Sequence, residues 1–205
     1  PRETSHKVLQ SVCEVNPLLI GGSADVGTST KTYLENSTDF SSTNYLGRNI
    51  WYGVREGAMG AIMNGISLSG LRNYGSTFLA FSDYVKPAIR LSALMNLPNI
   101  YIFTHDSVMI GPDGPTHQPV EQLIGLRSIP NMEVFRPADA NETLGAYKAI
   151  LAKRRGPSAL ILSRNDQPVR EDTSINDVAF GAYIVYHEAK NLQGIIIATG
   201  EEVHM

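Results

Sequence analysis

A short loop rich in glycine and proline carries the strongest chemical signal in the sequence. Residues 111–119 contain two glycines, three prolines, Asp113 and His117. Glycine and proline at this density hold the backbone in a preset turn, so the carboxylate and the imidazole point in fixed directions at little entropic cost on binding. We therefore expect Asp113 and His117 to contact a polar ligand, against the alternative of a rigid surface turn.

A second histidine, His105, closes the apolar run 100–104, which is typical of a buried strand. Its neighbour Asp106 could orient the ring or cap the next element. A single histidine at a strand end is more often a packed or solvated residue, and that alternative stays open. Two histidines and an aspartate also raise the question of zinc, but their spacing fits no compact zinc motif, so we expect no metal ligands in this chain.

Glu56 precedes a run of small and apolar residues with helical spacing. The helix dipole favours an acid in the first turn, which is a purely structural explanation. In apolar surroundings, however, the carboxylate could share a proton with a ligand. Phe78, Phe81 and Tyr84 recur every three residues nearby. Such residues usually pack in a core, but beside a carboxylate they also suit a flat heteroaromatic ring.

Three residues near other predicted turns have the chemistry to bind a phosphate. Arg164 can grip two phosphate oxygens with its planar guanidinium, and Arg2 and Ser29 add donors. Each of the three, taken alone, is equally typical of a solvated surface, so these positions are candidates only as a group.

Composition excludes several function classes. Of the 205 residues, 42% are hydrophobic and 18% are charged, and the net charge of −3 comes without a basic block. This balance favours a globular domain and argues against nucleic acid or a membrane as partner. The single cysteine, Cys13, excludes an internal disulfide, so we expect a reducing, cytoplasmic compartment.

Short apolar runs alternate with longer helical stretches, which predicts a three-layer α/β/α domain with a mostly parallel sheet. The carboxyl ends of such strands carry the chemistry, and here they hold Asp25, His105 and Arg164. Predicted strands are 18–20, 100–104, 132–135, 158–162 and an edge strand 182–186, and residues 77–81 are a short strand or a turn. Predicted helices are 57–71, 83–97, 120–126 and 141–153.

The two ends suggest a piece of a longer polypeptide. The chain opens without methionine, and residues 195–205 read as a buried strand followed by the start of a helix. We expect one domain over residues 1–190, and a linker with the start of a further domain over residues 191–205.

Six motifs follow one another over nearly all of residues 1–165. They are Gly21-Gly-Ser-Ala-Asp25, Gly53-Val-Arg-Glu-Gly-Ala-Met-Gly-Ala-Ile-Met-Asn-Gly65, Ser76-Thr-Phe-Leu-Ala-Phe81, Thr104-His-Asp-Ser107, Asp113-Gly-Pro-Thr-His-Gln-Pro119 and Leu162-Ser-Arg164. Together, and in this order, they resemble the transketolase family of thiamine-diphosphate enzymes. Residues 198–200 resemble the opening of its carboxyl-terminal domain. The resemblance implies the thiamine-diphosphate-binding fold of the pyrimidine-domain type.

The resemblance also implies roles for single residues in the transfer of a two-carbon ketol unit from a ketose phosphate to an aldose phosphate, in the pentose phosphate pathway. Glu56 would hydrogen-bond N1′ of the cofactor's aminopyrimidine, and Asp25 would lie near the cofactor at a subunit contact. Phe78, Phe81 and Tyr84 would form the pyrimidine pocket; His105, Asp113 and His117 would contact the sugar hydroxyls, with His117 at the reacting carbon; Arg2, Ser29 and Arg164 would hold the sugar phosphate.

The sequence departs from the family pattern in an informative way. The Gly-Asp-Gly motif and later Asn that bind magnesium and diphosphate are absent from these 205 residues. In the family they lie on a preceding domain, and the cofactor sits between two subunits of a homodimer. We therefore expect the isolated chain to be inactive. Gly57, where the family often has a bulkier residue, and Lys86-Pro87 are smaller departures.

Three alternatives remain. Dihydroxyacetone synthase resembles this segment closely, whereas 1-deoxyxylulose-5-phosphate synthase usually lacks the proline after Thr-His-Gln and the context of His105. A non-catalytic interaction module of the same fold is the third alternative. Retention of Glu56, His105, Asp113 and His117 together argues against it.

Overall fold

Six parallel strands form one sheet at the centre of the molecule. The computed structural model describes residues 1–205, with the side chain at position 108 outside the description. The strand order is β2-β1-β3-β4-β6-β5. The predicted sheet is confirmed, and every pairing in it is parallel. The strands are β1 (Leu19–Ser23), β2 (Asn49–Trp51), β3 (Arg72–Phe78), β4 (Ile100–Thr104), β5 (Glu133–Phe135) and β6 (Ser158–Leu162).

Helices connect the strands and cover both faces of the sheet, as parallel pairing requires. They are α1 (Arg2–Val15), α2 (Gly27–Thr30), α3 (Glu56–Leu68), α4 (Ser82–Leu94), α5 (Gln122–Arg127) and α6 (Ala140–Ala152). No described helix has the length and apolar character needed to span a bilayer.

The two faces of β4 show why the molecule has three layers. Tyr101 and Phe103 belong to a core with residues of α3, α4 and α5. Ile100 and Ile102 point to the other face and belong to a core with residues of α1 and α6. Because side chains alternate along a strand, an apolar run without polar interruptions needs cover on both sides.

Gly75 sets the distance between α3 and the sheet. A Cβ atom at this position would lie 2.3 Å from the sulfur of Met63 and 3.0 Å from that of Met59. Only a glycine lets the helix pack this closely, and Glu56 stands at the start of that helix. This packing therefore fixes the distance between Glu56 and the carboxyl ends of the strands.

Several predicted elements agree with the structure to within a few residues, but others were missed or wrong. Helix α1 and strand β2 were missed. The predicted segment 77–81 is the end of β3 followed by a 3₁₀ turn, Leu79–Phe81. The predicted edge strand 182–186 is wrong: these residues form no strand, and β5 ends the sheet on that side.

The predicted buried strand at 195–197 is also wrong. Ile195, Ile196 and Ile197 are 77%, 96% and 88% exposed. No described strand pairs with this segment, and an apolar run without a neighbouring strand has no ladder to join. The chain then returns to the domain surface in a 3₁₀ turn, Gly200–His204.

Candidate functional site

A row of aromatic rings lies at the carboxyl ends of β3 and β4. Phe78 ends β3, and its ring centroid is 5.7 Å from that of Phe81, which is 6.1 Å from that of Tyr84. Phe78 also lies 4.0 Å from the His105 ring and 5.6 Å from the His117 ring. The structure thus brings the three predicted aromatic residues and both predicted histidines together.

His105 sits in a backbone conformation that few side-chain-bearing residues adopt. Its φ angle is +63°, in the left-handed region, directly after β4 ends at Thr104. The Thr104 hydroxyl lies 2.8 Å from Nδ1 of the ring. This turn places the imidazole against the Phe78 ring, so the side chain is buried at a strand end rather than exposed.

The surroundings of His105 favour the neutral imidazole. Burial and the nearby Arg2 guanidinium lower the pKa of His105 to about 4, although the carboxylate of Asp113 opposes this shift. At neutral pH the ring is therefore an uncharged hydrogen-bonding group. Such a group can contact a hydroxyl without the cost of desolvating a charge.

Asp113 and two arginines form a charged cluster beside the histidines. One Asp113 oxygen lies 3.2 Å from Nε of Arg164 and 3.8 Å from Nε2 of His105. Arg2 donates to the backbone carbonyls of Ser29, at 2.7 Å, and of Arg164, at 2.9 Å. The three predicted phosphate ligands are thus drawn together by backbone contacts of Arg2.

This cluster holds two like charges close together, those of Arg2 and Arg164. Burial, and then the like charge of Arg164, lower the pKa of Arg2. Two guanidinium groups are held near one another, with the carboxylate of Asp113 between Arg164 and His105. An anion bound at this position would relieve the repulsion between the arginines.

Glu56 is buried at the first position of α3, and its carboxylate has few hydrogen-bond partners. Its side chain is 7% exposed, and its one side-chain hydrogen bond among the described residues comes from the Thr77 hydroxyl at a long 3.4 Å. Thr77 is the residue before Phe78, so the carboxylate lies close to the start of the aromatic row. It retains capacity to accept a hydrogen bond from a ligand.

Asp25 and Tyr84 mark the open rim of the site. Asp25 is exposed after β1 and has a φ angle of +63°, and Tyr84 is 66% exposed. Asp25 makes no side-chain hydrogen bond or ion pair in the described part of the chain. The structure leaves both residues free to meet another surface or ligand.

Asp106, for which orientation of the His105 ring and capping of the next element were both open, makes no hydrogen bond to that ring among the described residues. The buried Asp106 carboxylate instead binds Nε of Arg136 at 2.7 Å. Burial raises the pKa of Asp106, and the Arg136 charge offsets part of that rise. An arginine that follows a strand was visible in the sequence at Arg136-Pro137, but nothing there indicated its partner.

A cavity of about 570 Å³ lies between α1, α2 and β2, and no predicted site residue lines it. Trp51 and Tyr33 pack in a tilted arrangement on part of its wall, with ring centroids 6.1 Å apart. At its rim His6 pairs with Glu35, and Lys31 pairs with Glu3.

No group of three or more His, Cys, Asp or Glu side chains in the described part of the chain is arranged to hold a metal ion. The candidate site is therefore built from a buried carboxylate, aromatic rings, neutral imidazole and guanidinium groups.

Fold and site together define an α/β domain that gathers aromatic, imidazole and guanidinium side chains at the carboxyl edge of a parallel sheet, the edge where such folds commonly bind ligands. The chain is 50% identical over its full length to a probable transketolase of Streptococcus pneumoniae, and 48% identical to a transketolase of Halalkalibacterium halodurans. It covers 31% of the length of each. A solved transketolase of Pichia stipitis in complex with sedoheptulose 7-phosphate superposes with a TM-score of 0.89 at 44% identity, over 92% of this chain and 29% of that one.

Residues 1–169 match the transketolase pyrimidine-binding domain model. The chain belongs to this family, which confirms the resemblance found in its motifs. Its share of the relatives' length corresponds to one domain of a larger enzyme.

Proposed function

We propose that this chain supplies the pyrimidine half of a thiamine-diphosphate site in a transketolase. The observation that carries the proposal is Glu56, a buried carboxylate with one long hydrogen bond, placed beside the aromatic row. A flat, nitrogen-containing ring that stacks on Phe78 and Phe81 would offer such a carboxylate a donor. The aminopyrimidine of thiamine diphosphate has this shape and chemistry.

Thiamine diphosphate, when bound, supplies the reactive carbon and the electron sink for transfer of a two-carbon unit. In our proposal Glu56 holds a proton shared with N1′ of the aminopyrimidine. Because the carboxylate is buried, this hydrogen bond forms in a low local dielectric and is stronger than one in water. Phe78, Phe81 and Tyr84 orient the ring, and Tyr84 covers its outer edge.

The charged cluster supports sugar phosphates as substrates. Arg2 and Arg164 would bind the phosphate, which relieves the repulsion between them, and Ser29 adds a donor at the rim. His105, neutral at physiological pH, and Asp113 would hydrogen-bond sugar hydroxyls. His117 would contact the oxygen at the reacting carbon, where its ring lies 5.1 Å from that of Phe81.

The remaining parts of the site would come from outside these residues. We propose that Mg²⁺ and the diphosphate are bound by a preceding domain, and that the cofactor lies between two subunits of a homodimer, with the exposed Asp25 at that contact. The single cysteine, a buried free thiol, is consistent with the reducing cytoplasm in which a pentose phosphate pathway enzyme works. On these grounds the isolated chain is inactive.

A chimaera tests the proposal. The chain replaces the matching segment of one of the two bacterial relatives, and transfer from a ketose phosphate to an aldose phosphate is measured with thiamine diphosphate and Mg²⁺. We expect activity from the chimaera, and Glu56→Gln should lower kcat by about 10²-fold or more, because proton transfer at the cofactor loses its partner. Glu171→Gln, an exposed change, is the matched control.

Calorimetry gives an independent result. Thiamine diphosphate with Mg²⁺ should bind the chimaera and should bind the isolated chain weakly or not at all. Tight, magnesium-dependent binding by the isolated chain would contradict the half-site, and an inactive but folded chimaera would favour a non-catalytic module. Formaldehyde as a better acceptor than an aldose phosphate would indicate a dihydroxyacetone synthase instead.

A further inference from the structure

The turn after β4 needs support from outside itself. His105 has a left-handed φ angle of +63°, which a residue with a side chain adopts only when its surroundings hold it there. Its ring contacts the Thr104 hydroxyl and the Phe78 ring, and its Nε2 atom lies 3.8 Å from the Asp113 carboxylate. The two residues that follow, Asp106 and Ser107, are each bound by a charged side chain from a distant part of the chain.

Arg136 is the first of these groups. Its Nε donates to Asp106 at 2.7 Å, with side-chain exposures of 8% for the arginine and 0% for the aspartate. A buried carboxylate next to His105 would lack a counter-charge without this contact. The guanidinium therefore fixes the backbone one residue away from the imidazole.

The returning carboxyl-terminal turn holds Arg136 in place. Nη1 of Arg136 donates to the Thr199 carbonyl at 2.8 Å and to the Thr199 hydroxyl at 3.0 Å. Nη2 lies 2.5 Å from the Glu202 carboxylate. The Gly200 amide donates to the Arg136 carbonyl at 3.0 Å, and a Cβ at Gly200 would lie 2.8 Å from the guanidinium. Three residues of the turn, Thr199, Gly200 and Glu202, thus contact Arg136.

Glu201, in the same turn, joins two strand ends. One of its oxygens accepts from the Ser107 hydroxyl at 2.5 Å, and the other accepts from Nδ2 of Asn165 at 2.9 Å. Ser107 follows His105 by two residues, and Asn165 follows Arg164 by one. Glu201 is 6% exposed, so both hydrogen bonds are shielded from water.

We propose that Arg136 and the turn Thr199–Glu202 form a positioning clamp that holds His105 and Arg164 in fixed relation at the carboxyl edge of the sheet. The clamp touches neither residue's functional group; it acts through Asp106, Ser107 and Asn165. The inference rests on the proposed function only for the identity of the ligand that His105 and Arg164 contact. The positioning itself can be measured on this chain without cofactor or substrate.

The ionisation of the His105 ring reports on the clamp. Four groups face it: Arg2, Asp113, Arg164 and His117. None is altered in the test, so a change in the His105 pKa reflects movement or hydration of the ring. Ring nitrogen signals are followed by NMR from about pH 3.5 to about pH 8, a window that spans the imidazole's ordinary pKa of about 6.5, and are assigned with His105→Gln.

Two variants separate positioning from simple electrostatics. Arg136→Lys keeps the positive charge but cannot reach Asp106, Thr199 and Glu202 together. Glu201→Ala removes a negative charge, which by electrostatics alone would lower a histidine pKa. The clamp predicts the opposite, a rise of about one unit or more in the His105 pKa in both variants, as the ring becomes hydrated.

Glu133→Gln breaks the Lys153–Glu133 ion pair at the amino end of β5 and serves as control; it should leave the His105 pKa unchanged. Folded variants with an unchanged or lowered His105 pKa would overturn the clamp, even if both were less stable. A raised pKa in the variants, combined with a chimaera that folds but transfers no ketol unit, would refute the proposed function and leave the clamp standing.

Discussion

Two polar clusters lie at opposite ends of β3 and β4 and differ in how their groups are paired. The amino-end network consists of Asn64, Ser67, Asn73, Ser92, Asn99 and Tyr101. The carboxyl-edge cluster consists of Arg2, His105, Asp113, His117 and Arg164. The same two strands thus carry a neutral network at one end and a charged cluster at the other.

Asn99 organises the amino-end network. Its amide nitrogen donates to Asn64 at 2.6 Å and to Ser92 at 2.9 Å, and its oxygen accepts from Ser67 and Asn73. Asn99 is fully buried, so water cannot replace it as a hydrogen-bond partner of these side chains. These groups bind one another and join α3, α4 and the sheet, which is a structural role.

The carboxyl-edge cluster leaves its groups incompletely paired. The His105 and Asp113 side chains are 3.8 Å apart, and Arg164 is 38% exposed at the side chain. Apart from the Asp113–Arg164 ion pair at 3.2 Å, the side chains of this cluster converge without close pairing to one another. The comparison indicates that polar groups which bind each other stabilise this fold, whereas those which converge without binding are available to a ligand.

Asn99→Ala should produce the largest effect on stability. The change leaves Asn64, Ser92, Ser67 and Asn73 without a shared buried partner, and we expect a loss of about 3 kcal/mol in the free energy of unfolding. Urea unfolding followed by circular dichroism measures it. Asn191→Ala, at an exposed position, should stay within about 0.5 kcal/mol. A loss under about 1 kcal/mol for Asn99→Ala would remove the structural side of the comparison.

His105→Gln should have a smaller effect, and one that depends on pH. The pKa of His105 is about 4 in the folded chain, below the ordinary value of about 6.5. As pH falls from about 6.5 towards 4, the unfolded chain binds a proton that the folded chain refuses, so the wild type loses stability. Glutamine cannot titrate, and the variant should lose less stability between pH 7 and pH 5.

The measurement is the difference in free energy of unfolding between pH 7 and pH 5, which we expect to be smaller in His105→Gln than in the wild type. His187→Gln removes an exposed histidine and should keep the wild-type difference. An identical pH dependence in all three proteins would mean that the His105 ring is hydrated, and that its end of the sheet is not the shielded site described above.

The sequence predicted the charged end of the sheet better than the neutral one. Asp113, His117 and Glu56 stand in local motifs whose glycines, prolines and small residues are visible along the chain. The buried hydrogen bonds of Asn99 join residues up to 35 positions apart, and no local sequence pattern predicts them. Tertiary partners of this kind are fixed by packing, which a single sequence does not display.

The missed and wrong elements have the same origin. Ser5, Leu9 and Cys13 recur every four residues in α1, a helical signal that was present but overlooked. In contrast, residues 195–197 have a strong strand composition but no partner strand. A strand needs a neighbour as well as a propensity, so composition alone gave the wrong prediction there.

Tyr84→Ala should have the smallest effect on stability and still affect binding. The side chain is 66% exposed and contacts Phe81 at the end of the aromatic row, so the free energy of unfolding should change by less than about 0.5 kcal/mol. In the chimaera, affinity for thiamine diphosphate should fall about fivefold, as expected for an aromatic contact worth about 1 kcal/mol. Urea unfolding and calorimetry measure the two quantities.

Tyr186→Ala, 80% exposed and far along the chain from the aromatic row, is the control and should alter neither quantity. Truncating a residue that contacts a ligand lowers ligand affinity but not the stability of the protein. Truncating a residue that packs in the fold lowers stability but not ligand affinity. If Tyr84→Ala cost stability and left affinity unchanged, Tyr84 would belong with the structural residues. The contrast between the two ends of the sheet would then hold for the charged cluster alone and not for the aromatic row.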